Sequence, residues 1–239
     1  MNLKNLNVNQ QYTIVKLIGR GHFGQTYLVK NKQNQYYALK LFYKPDRDYY
    51  REVENLIQLS KTGCNPDIIC YKNHFIFNGQ YAILSDYIDG VNLEQFKHRL
   101  NIKNIKHIGL WLFGVLSWLH KKGYAHNDIS LSNIMLDKNN QLKLIDFGLS
   151  CNIYAKIDSY QHCTAKRLVN QDYKSPELAS GQYLQNVKKY SQTSDVWAAG
   201  MVLYKLLSNN HQNVPFMNKI LNPNPNQRVN AQQAYQLLL

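Results

Sequence analysis

The chain has 239 residues, 44% of them hydrophobic, enough apolar material for one large domain or two lobes and too much for a disordered chain. Lys and Arg number 28 against 15 Asp and Glu, a net charge of +13. The excess is spread, with 11 basic against 5 acidic residues in 1–85 and 17 against 10 in 86–239, so it does not form the basic stripe that nucleic-acid backbones select.

In chain order, QYTIVKLIG, QTYLVKN and YYALKLF read as short strands split by Gly-containing or Asn/Gln-rich turns, the signature of an antiparallel meander. From Asp48 to Ser60 the apolar positions Tyr49, Val53, Leu56, Ile57 and Leu59 recur at helical spacing behind acidic first-turn residues. CYKNHFIFNG and QYAILSDYI then form a hairpin pattern, and the character of the chain changes near Tyr87 to Gly90. Beyond it the pattern is mostly helical: a short piece at 92–100, an apolar helix at 105–122 and another at 194–207, with NIML and LKLI as a small hairpin between. SNNHQNVPFMNKIL reads as one short helix flanked by loops. The longest apolar run, residues 108–119, falls short of the roughly 18 residues of a membrane helix and is expected in a core. Cys64, Cys70, Cys151 and Cys163 show no paired CxxC spacing, and MNLKNLNVNQ has no apolar signal-peptide core. A fold without staples in a reducing cytoplasm is the expectation, or the host cytoplasm for a viral or bacterially secreted chain.

Gly19, Gly21 and Gly24 form GxGxxG in IGRGHFGQTY. Glycines at such positions let backbone amides approach phosphates closely, and a strand rather than a helix follows, which is the arrangement of a kinase loop and not of a dinucleotide fold. Lys40 lies on the third strand and Glu52 in the following helix, twelve positions on, with Glu54 as a fallback partner on another face. Further on, HNDISLSNIMLDKNNQLKLIDFG places Asp128, Asn133 and Asp146 in polar loops between hydrophobic runs. Phosphoryl transfer asks for such a set: a carboxylate to accept the proton of the attacking hydroxyl, and oxygen ligands for a divalent cation.

With these motifs in order, the chain resembles the eukaryotic-type protein kinase family. His126-Asn127-Asp128 stands where the family has HRD, Asp146-Phe147-Gly148 is an intact DFG, and Ser175-Pro176-Glu177 matches APE. The resemblance implies an α+β, bilobal fold in a single domain over 1–239, with a small antiparallel β-sheet N-lobe carrying one helix (about 1–87) and a larger, mostly helical C-lobe (about 88–239). It implies ATP and Mg²⁺ as cofactors and a protein as substrate. Asp128 would act as proton acceptor, Lys40 paired to Glu52 would hold the α- and β-phosphates, and Asn133 with Asp146 would bind the metal. Gly19, Gly21 and Gly24 would cover the phosphates. Thr26, Ala38 and Met135 would flank the adenine, Asp86 to Ile88 would form the hinge, Asn92 would lie near the ribose and Ser85 would gate the back of the pocket. Asp195 would anchor the catalytic loop, Arg228 would pair with Glu177, and Leu56, Tyr71, His126 and Phe147 would form a structural stack.

Four departures bear on function. Asn127 replaces the Arg that grips a phosphorylated activation segment, so activity without phosphorylation of Tyr154, Ser159, Tyr160 or Thr164 is expected. Ser130 stands where Ser/Thr kinases carry a Lys, and loss of a transition-state charge partner commonly costs about 2–4 kcal/mol. Asn170 replaces the Thr that contacts the catalytic Asp, which leaves the choice between Ser/Thr and Tyr open. Only 27 residues separate Gly200 from Arg228, which trims the substrate-docking region. Two alternatives stand beside a protein kinase: a pseudokinase or nucleotide-gated binding module, and a small-molecule kinase of the aminoglycoside or choline type.

Overall fold

The computed structural model describes residues 11–97, 100–156, 158–163, 170–181, 186–208 and 216–239. The chain divides into two compact units, Met1–Asp89 and Gly90–Leu239.

The first unit is built on a five-stranded antiparallel sheet in the order β1-β2-β3-β5-β4. Its strands are β1 (Tyr12–Arg20), β2 (Gly24–Asn31), β3 (Tyr36–Phe42), β4 (Tyr71–Phe77) and β5 (Gln80–Asp86). Asn78 and Gly79 both take positive φ, 48° and 80°, the backbone a two-residue hairpin turn needs between β4 and β5. Val29, Leu39, Leu41, Phe75, Phe77, Ala82 and Leu84 form a buried cluster, with Tyr12, Tyr27 and Tyr37 packed against it. Helix α1 (Arg47–Ser60) follows β3 after a four-residue connection and starts on Asp46, whose carboxylate accepts from the Asp48 amide at 3.1 Å. It buries Tyr49, Val53, Leu56 and Leu59, and Tyr49 meets Phe42 and Tyr81 edge-on at 5.1 and 4.9 Å.

In the second unit the strands β6 (Gly90–Asn92), β8 (Ile134–Asp137) and β9 (Leu142–Leu144) form one small sheet. A second pairs β7 (Tyr124–Ala125) with β10 (Cys151–Asn152). The helices are α2 (Leu93–Phe96), α3 (Ile102–Lys121), α4 (Pro176–Ala179), α5 (Val187–Ser208), α6 (Met217–Ile220) and α7 (Ala231–Leu238). The central helix α3 begins with a capping box between Asn101 and Asn104 and buries Ile105, Ile108, Leu112, Phe113, Leu116 and Leu119. Helices α5 and α7 pack on it, and Ser117 Oγ donates to Gln232 Oε1 at 2.9 Å. No helix is long and apolar enough to cross a membrane among the described residues.

Several boundaries differ from the sequence expectation. The helix placed at 194–207 begins at Val187, and the expected piece at 92–100 is helical over Leu93–Phe96. Gly90 opens β6, whose partner β8 lies more than forty residues on, and α7 is an element the patterns did not mark. Residues 209–215 of the expected docking helix, and Thr164, lie outside the described residues. The expectation of a fold without staples is corrected: disulfides join Cys64 to Cys70 and Cys151 to Cys163, with Cα separations of 5.5 and 5.0 Å. Neither pair has CxxC spacing, and each is brought together by a loop folding back.

Candidate active site

In the first unit, Lys40 Nζ lies 2.7 Å from Glu52 Oε2 and 3.0 Å from Oε1, and only 5% of the Glu52 side chain is exposed. Glu52, not Glu54, is therefore the partner. Lys40 stands directly opposite Thr26 across β2 and β3, and Ala38 stands opposite Ser85 across β3 and β5. Because side chains alternate faces along a strand, Thr26, Ala38, Lys40 and Ser85 share one face of the sheet, the face opposite that of Leu39 and Leu41. These four are half-buried. Ser85 supplies little bulk there. ATP-competitive inhibitors with large substituents are therefore expected to inhibit the unaltered chain, and Ser85→Phe should raise their inhibition constants at least tenfold with little change in the KM for ATP.

The glycine loop joins β1 to β2, with Gly19 paired to Thr26 and the Gly21 amide donating to the Gly24 carbonyl at 2.9 Å. Gly24 is demanded by the fold itself, since a Cβ there would lie 2.1 Å from the Leu41 carbonyl oxygen. Gly19 and Gly21 are not: their nearest neighbours would sit 3.8 and 4.0 Å from a Cβ, and neither has positive φ. Two glycines that neither packing nor backbone conformation requires are what a close-fitting anion cradle leaves in a sequence. At the end of β5 the Asp86 amide donates to the Cys70 carbonyl at 3.0 Å and its carboxylate pairs with Lys72 at 2.9 Å. Ile88 follows in an irregular segment.

In the second unit, Asp128, Asn133 and Asp146 lie within three residues of strand ends. Pairing of Ile134 with Leu144 continues as Ile145 N–H donating to the Asn133 carbonyl at 2.9 Å, which sets Asn133 beside the backbone that leads into Asp146. The Asn133 Nδ2 donates to the Asp128 carbonyl oxygen and to Asp128 Oδ2, both at 2.8 Å. With its nitrogen spent on Asp128, the carboxamide offers a cation its oxygen. Asp146 has φ of 64°, a left-handed backbone, and its Oδ1 accepts from the Gly148 amide at 3.3 Å. An amide oxygen and a carboxylate are hard ligands that suit Mg²⁺, which takes one or two protein oxygens and completes its shell with phosphate and water. No group of three or more His, Cys, Asp or Glu able to hold an ion occurs among the described residues. Asn92 stands opposite Met135 across β6 and β8, and its own Oδ1 caps α2 by accepting from the Gln95 amide at 3.0 Å.

The loop is fixed from below by Asp195, 1% exposed, whose Oδ2 accepts from the His126 amide at 2.7 Å and whose Oδ1 accepts from the Asn127 amide at 2.7 Å. His120 Nε2 lies 3.0 Å from the same Oδ2. The His126 ring is fully buried and meets Phe147 at 4.8 Å. Its Nδ1 accepts from the Asp128 amide and its Nε2–H donates to the Ile145 carbonyl, both at 3.2 Å, so the neutral ring spans the catalytic loop and the segment before Asp146. Burial lowers its pKa from the ordinary value, outweighing the nearby Asp195 and Asp146. The folded form therefore binds fewer protons than the unfolded one, and the stability this contributes is full above about pH 6.5 and is lost as the pH falls below it. The urea midpoint of unfolding is expected to drop between pH 7 and 5.5, by less in His126→Phe.

The departures also have a place. Ser130 is 3% exposed and its hydroxyl bonds Ser132 Oγ at 2.9 Å, so the position of the missing Lys is filled by a neutral pair. Asn170 Oδ1 accepts from the Asp172 amide at 3.1 Å and starts a short 3₁₀ turn. Tyr173 in that turn is a contact the sequence reading missed: its hydroxyl accepts from the Leu131 amide of the catalytic loop at 3.3 Å. Glu177 and Arg228 form a bidentate pair at 2.7 and 2.9 Å. Leu56 is buried in α1, and Tyr71 opens β4.

An antiparallel sheet with one long helix, followed by a mostly helical unit with this loop architecture, is the α+β protein kinase fold. Residues 12–215 match the protein kinase domain family, and the chain belongs to it. It is 31% identical over 210 residues to serine/threonine-protein kinase Nek9 of Mus musculus and 30% identical over 209 residues to that of Xenopus laevis. Those matches cover 82% of this chain and 20% and 21% of the two relatives. Serine/threonine-protein kinase Nek8 of Danio rerio is 30% identical over 210 residues, 83% of this chain and 28% of that protein. The chain thus spans less than a third of each of these relatives' length.

Proposed function

We propose that the chain is an active protein kinase, one catalytic domain over residues 1–239, that transfers the γ-phosphate of ATP to Ser or Thr hydroxyls of cytoplasmic proteins. The observation that carries it is the Asn133–Asp128 bond pair, because it orients a carboxylate for a proton while turning an amide oxygen over to a cation. The naming of similar proteins as serine/threonine kinases supports the choice of hydroxyl. Lys40, held by Glu52, would bind the α- and β-phosphates, with the loop of Gly19, Gly21 and Gly24 covering the phosphate chain and Thr26, Ala38 and Met135 about the base. Asp86 to Ile88 would bond the base edge, and Asn92 would lie near the ribose. Mg²⁺, when bound through Asn133 and Asp146, supplies neutralisation of the phosphate charge. Asp128 would accept the proton of the attacking hydroxyl, and the Asp195 clamp keeps it in position.

A pseudokinase is the second reading, favoured by the neutral Ser130–Ser132 pair. Incubation with labelled ATP and Mg²⁺, alongside generic protein substrates and small alcohols or aminoglycosides, separates the readings. Transfer to protein that is lost in Asp146→Ala supports the proposal. Transfer to small molecules alone, or nucleotide binding without transfer, overturns it.

A further inference from the structure

Strand β10 is only two residues long, yet it follows Asp146 by five positions, and its partner β7 precedes Asp128 by three. Beside the β8–β9 pairing and the His126 ring, the segments flanking the two acidic residues are thus joined by one very short ladder. Two devices reinforce it. Asn127, at φ of 64°, turns its Nδ2 to the Ala125 carbonyl at 3.1 Å, the Leu149 carbonyl at 3.2 Å and Cys151 Sγ at 3.5 Å. Cys151 is also joined to Cys163, and the two sulfurs are buried with Ala125, against Ile153 and Val187.

The disulfide closes the loop that follows β10 and holds it onto residues 123–125. Within the loop the Asn152 amide donates to the Gln161 carbonyl at 2.8 Å and the Ile153 amide to the Gly123 carbonyl at 2.8 Å. Gln161 Nε2 donates to the Tyr124 hydroxyl at 3.2 Å. All of these are single bonds on a loop whose tip, with Tyr154 76% exposed, is open to water. Release of Cys163 would restore much of the conformational freedom of the loop and leave β10 with its two-residue pairing and the single bonds just named.

The surroundings of Cys151 suit both oxidation states. As a disulfide, its sulfur accepts weakly from Asn127. As a thiol, it could still accept there and donate to Ser191 Oγ, 3.8 Å away, whose own hydrogen goes to the Val187 carbonyl at 2.6 Å. Cys151 is thus provided with a polar neighbour in either state. A staple that served folding alone would have no need of the second arrangement.

We propose that Cys151 and Cys163 form a redox clasp on the activation segment, closed by exchange with a small disulfide of the glutathione type and opened by the corresponding thiol. On closing, the two cysteine thiols form one S–S bond and the small disulfide is cleaved. Two electrons pass from the protein to the small disulfide, and the two thiol protons end on the two small thiols released. Because both sulfurs are buried, exchange proceeds through opening of the loop, and the closed clasp favours the ordered segment. The closed disulfide and the open thiols are both uncharged, a thiolate forming only during the exchange, and Asn127 is the positioning residue. The inference rests on the kinase reading for its effect on activity, but not for its effect on the loop.

The test uses the full chain carrying Cys64→Ser and Cys70→Ser, equilibrated in oxidised or reduced glutathione, with the Cys151–Cys163 state read by alkylation and mass. Trypsin cleavage after the exposed Lys156 is expected to be about tenfold faster in the reduced form. Phosphate transfer should be about tenfold slower in the reduced form and recover on reoxidation. Adding Cys163→Ser should fix the protein at the reduced rates in both buffers, with cooperative unfolding showing that it remains folded. Failure of the disulfide to form, or equal cleavage in both states, overturns the clasp whether or not the chain transfers phosphate. Equal transfer rates despite different cleavage would overturn its regulatory role. A chain that transfers no phosphate in either state, yet shows the cleavage difference, refutes the kinase reading and supports the clasp.

Discussion

Asp128→Asn is expected to lower phosphate transfer by about 10²–10⁴-fold, the usual worth of a positioned proton acceptor, with the KM for ATP changed little. The isosteric amide leaves a carbonyl-type oxygen where Asn133 Nδ2 now finds Asp128 Oδ2, and the second bond of that nitrogen goes to backbone, so the loop keeps its shape. The Asp195 bonds to the His126 and Asn127 amides are untouched as well. Steady-state kinetics with a melting curve checks this. A fall in turnover with the melting temperature held within a degree or two is the expected result, whereas undiminished transfer would remove Asp128 from the role assigned to it.

Arg228→Ala is expected to cost about 3–5 kcal/mol of stability, the usual penalty for removing one member of a buried ion pair. Both side chains of the Glu177–Arg228 pair are fully buried. Arg228 also donates to the Asn222 and Thr193 carbonyls at 3.0 and 2.8 Å, so its loss takes a donor from two backbone oxygens as well as the cation from a buried carboxylate. Glu177 would retain the Ser194 hydroxyl, at 3.2 Å, as a donor. Glu177→Gln with Arg228→Met, which removes both charges at similar volume, should lose markedly less than Arg228→Ala alone. Equilibrium denaturation of the three proteins, disulfides intact, measures the difference. Equal losses would mean that the pair is not acting through its buried charge.

Local grammar made much of this molecule legible. The helix from Asp48, the Asn78-Gly79 turn and the β8–β9 hairpin are each specified by residues within a few positions of one another, and the structure places them within one or two residues. Lys40 and Glu52 were legible because their strand and helix are adjacent in the chain. What stayed hidden is held by distant partners. Strand β6 has three residues and owes its existence to β8, while helix α7 is short and polar, with the Asn230–Gln233 capping box as its local signal and its apolar seat supplied by α3. The cysteine pairs obey no spacing rule, since a folded loop rather than a motif sets their separation. Asn127 was legible as a lost Arg, but not as a donor to two carbonyls, because one of them, Leu149, lies in a turn more than twenty residues on and meets Asn127 only in the fold.

The starts of four helical turns, at Asn92, Asn101, Asn170 and Asn230, are held by carboxamides, and Asp46 holds one more with a carboxylate. Aspartate would serve geometrically at each of the four. Choosing its neutral cousin removes a negative charge every time while leaving the bond intact, so part of the cationic excess is a by-product of how helices begin and need not advertise any acidic client. These joints also carry no proton to gain, and acidification leaves them fastened.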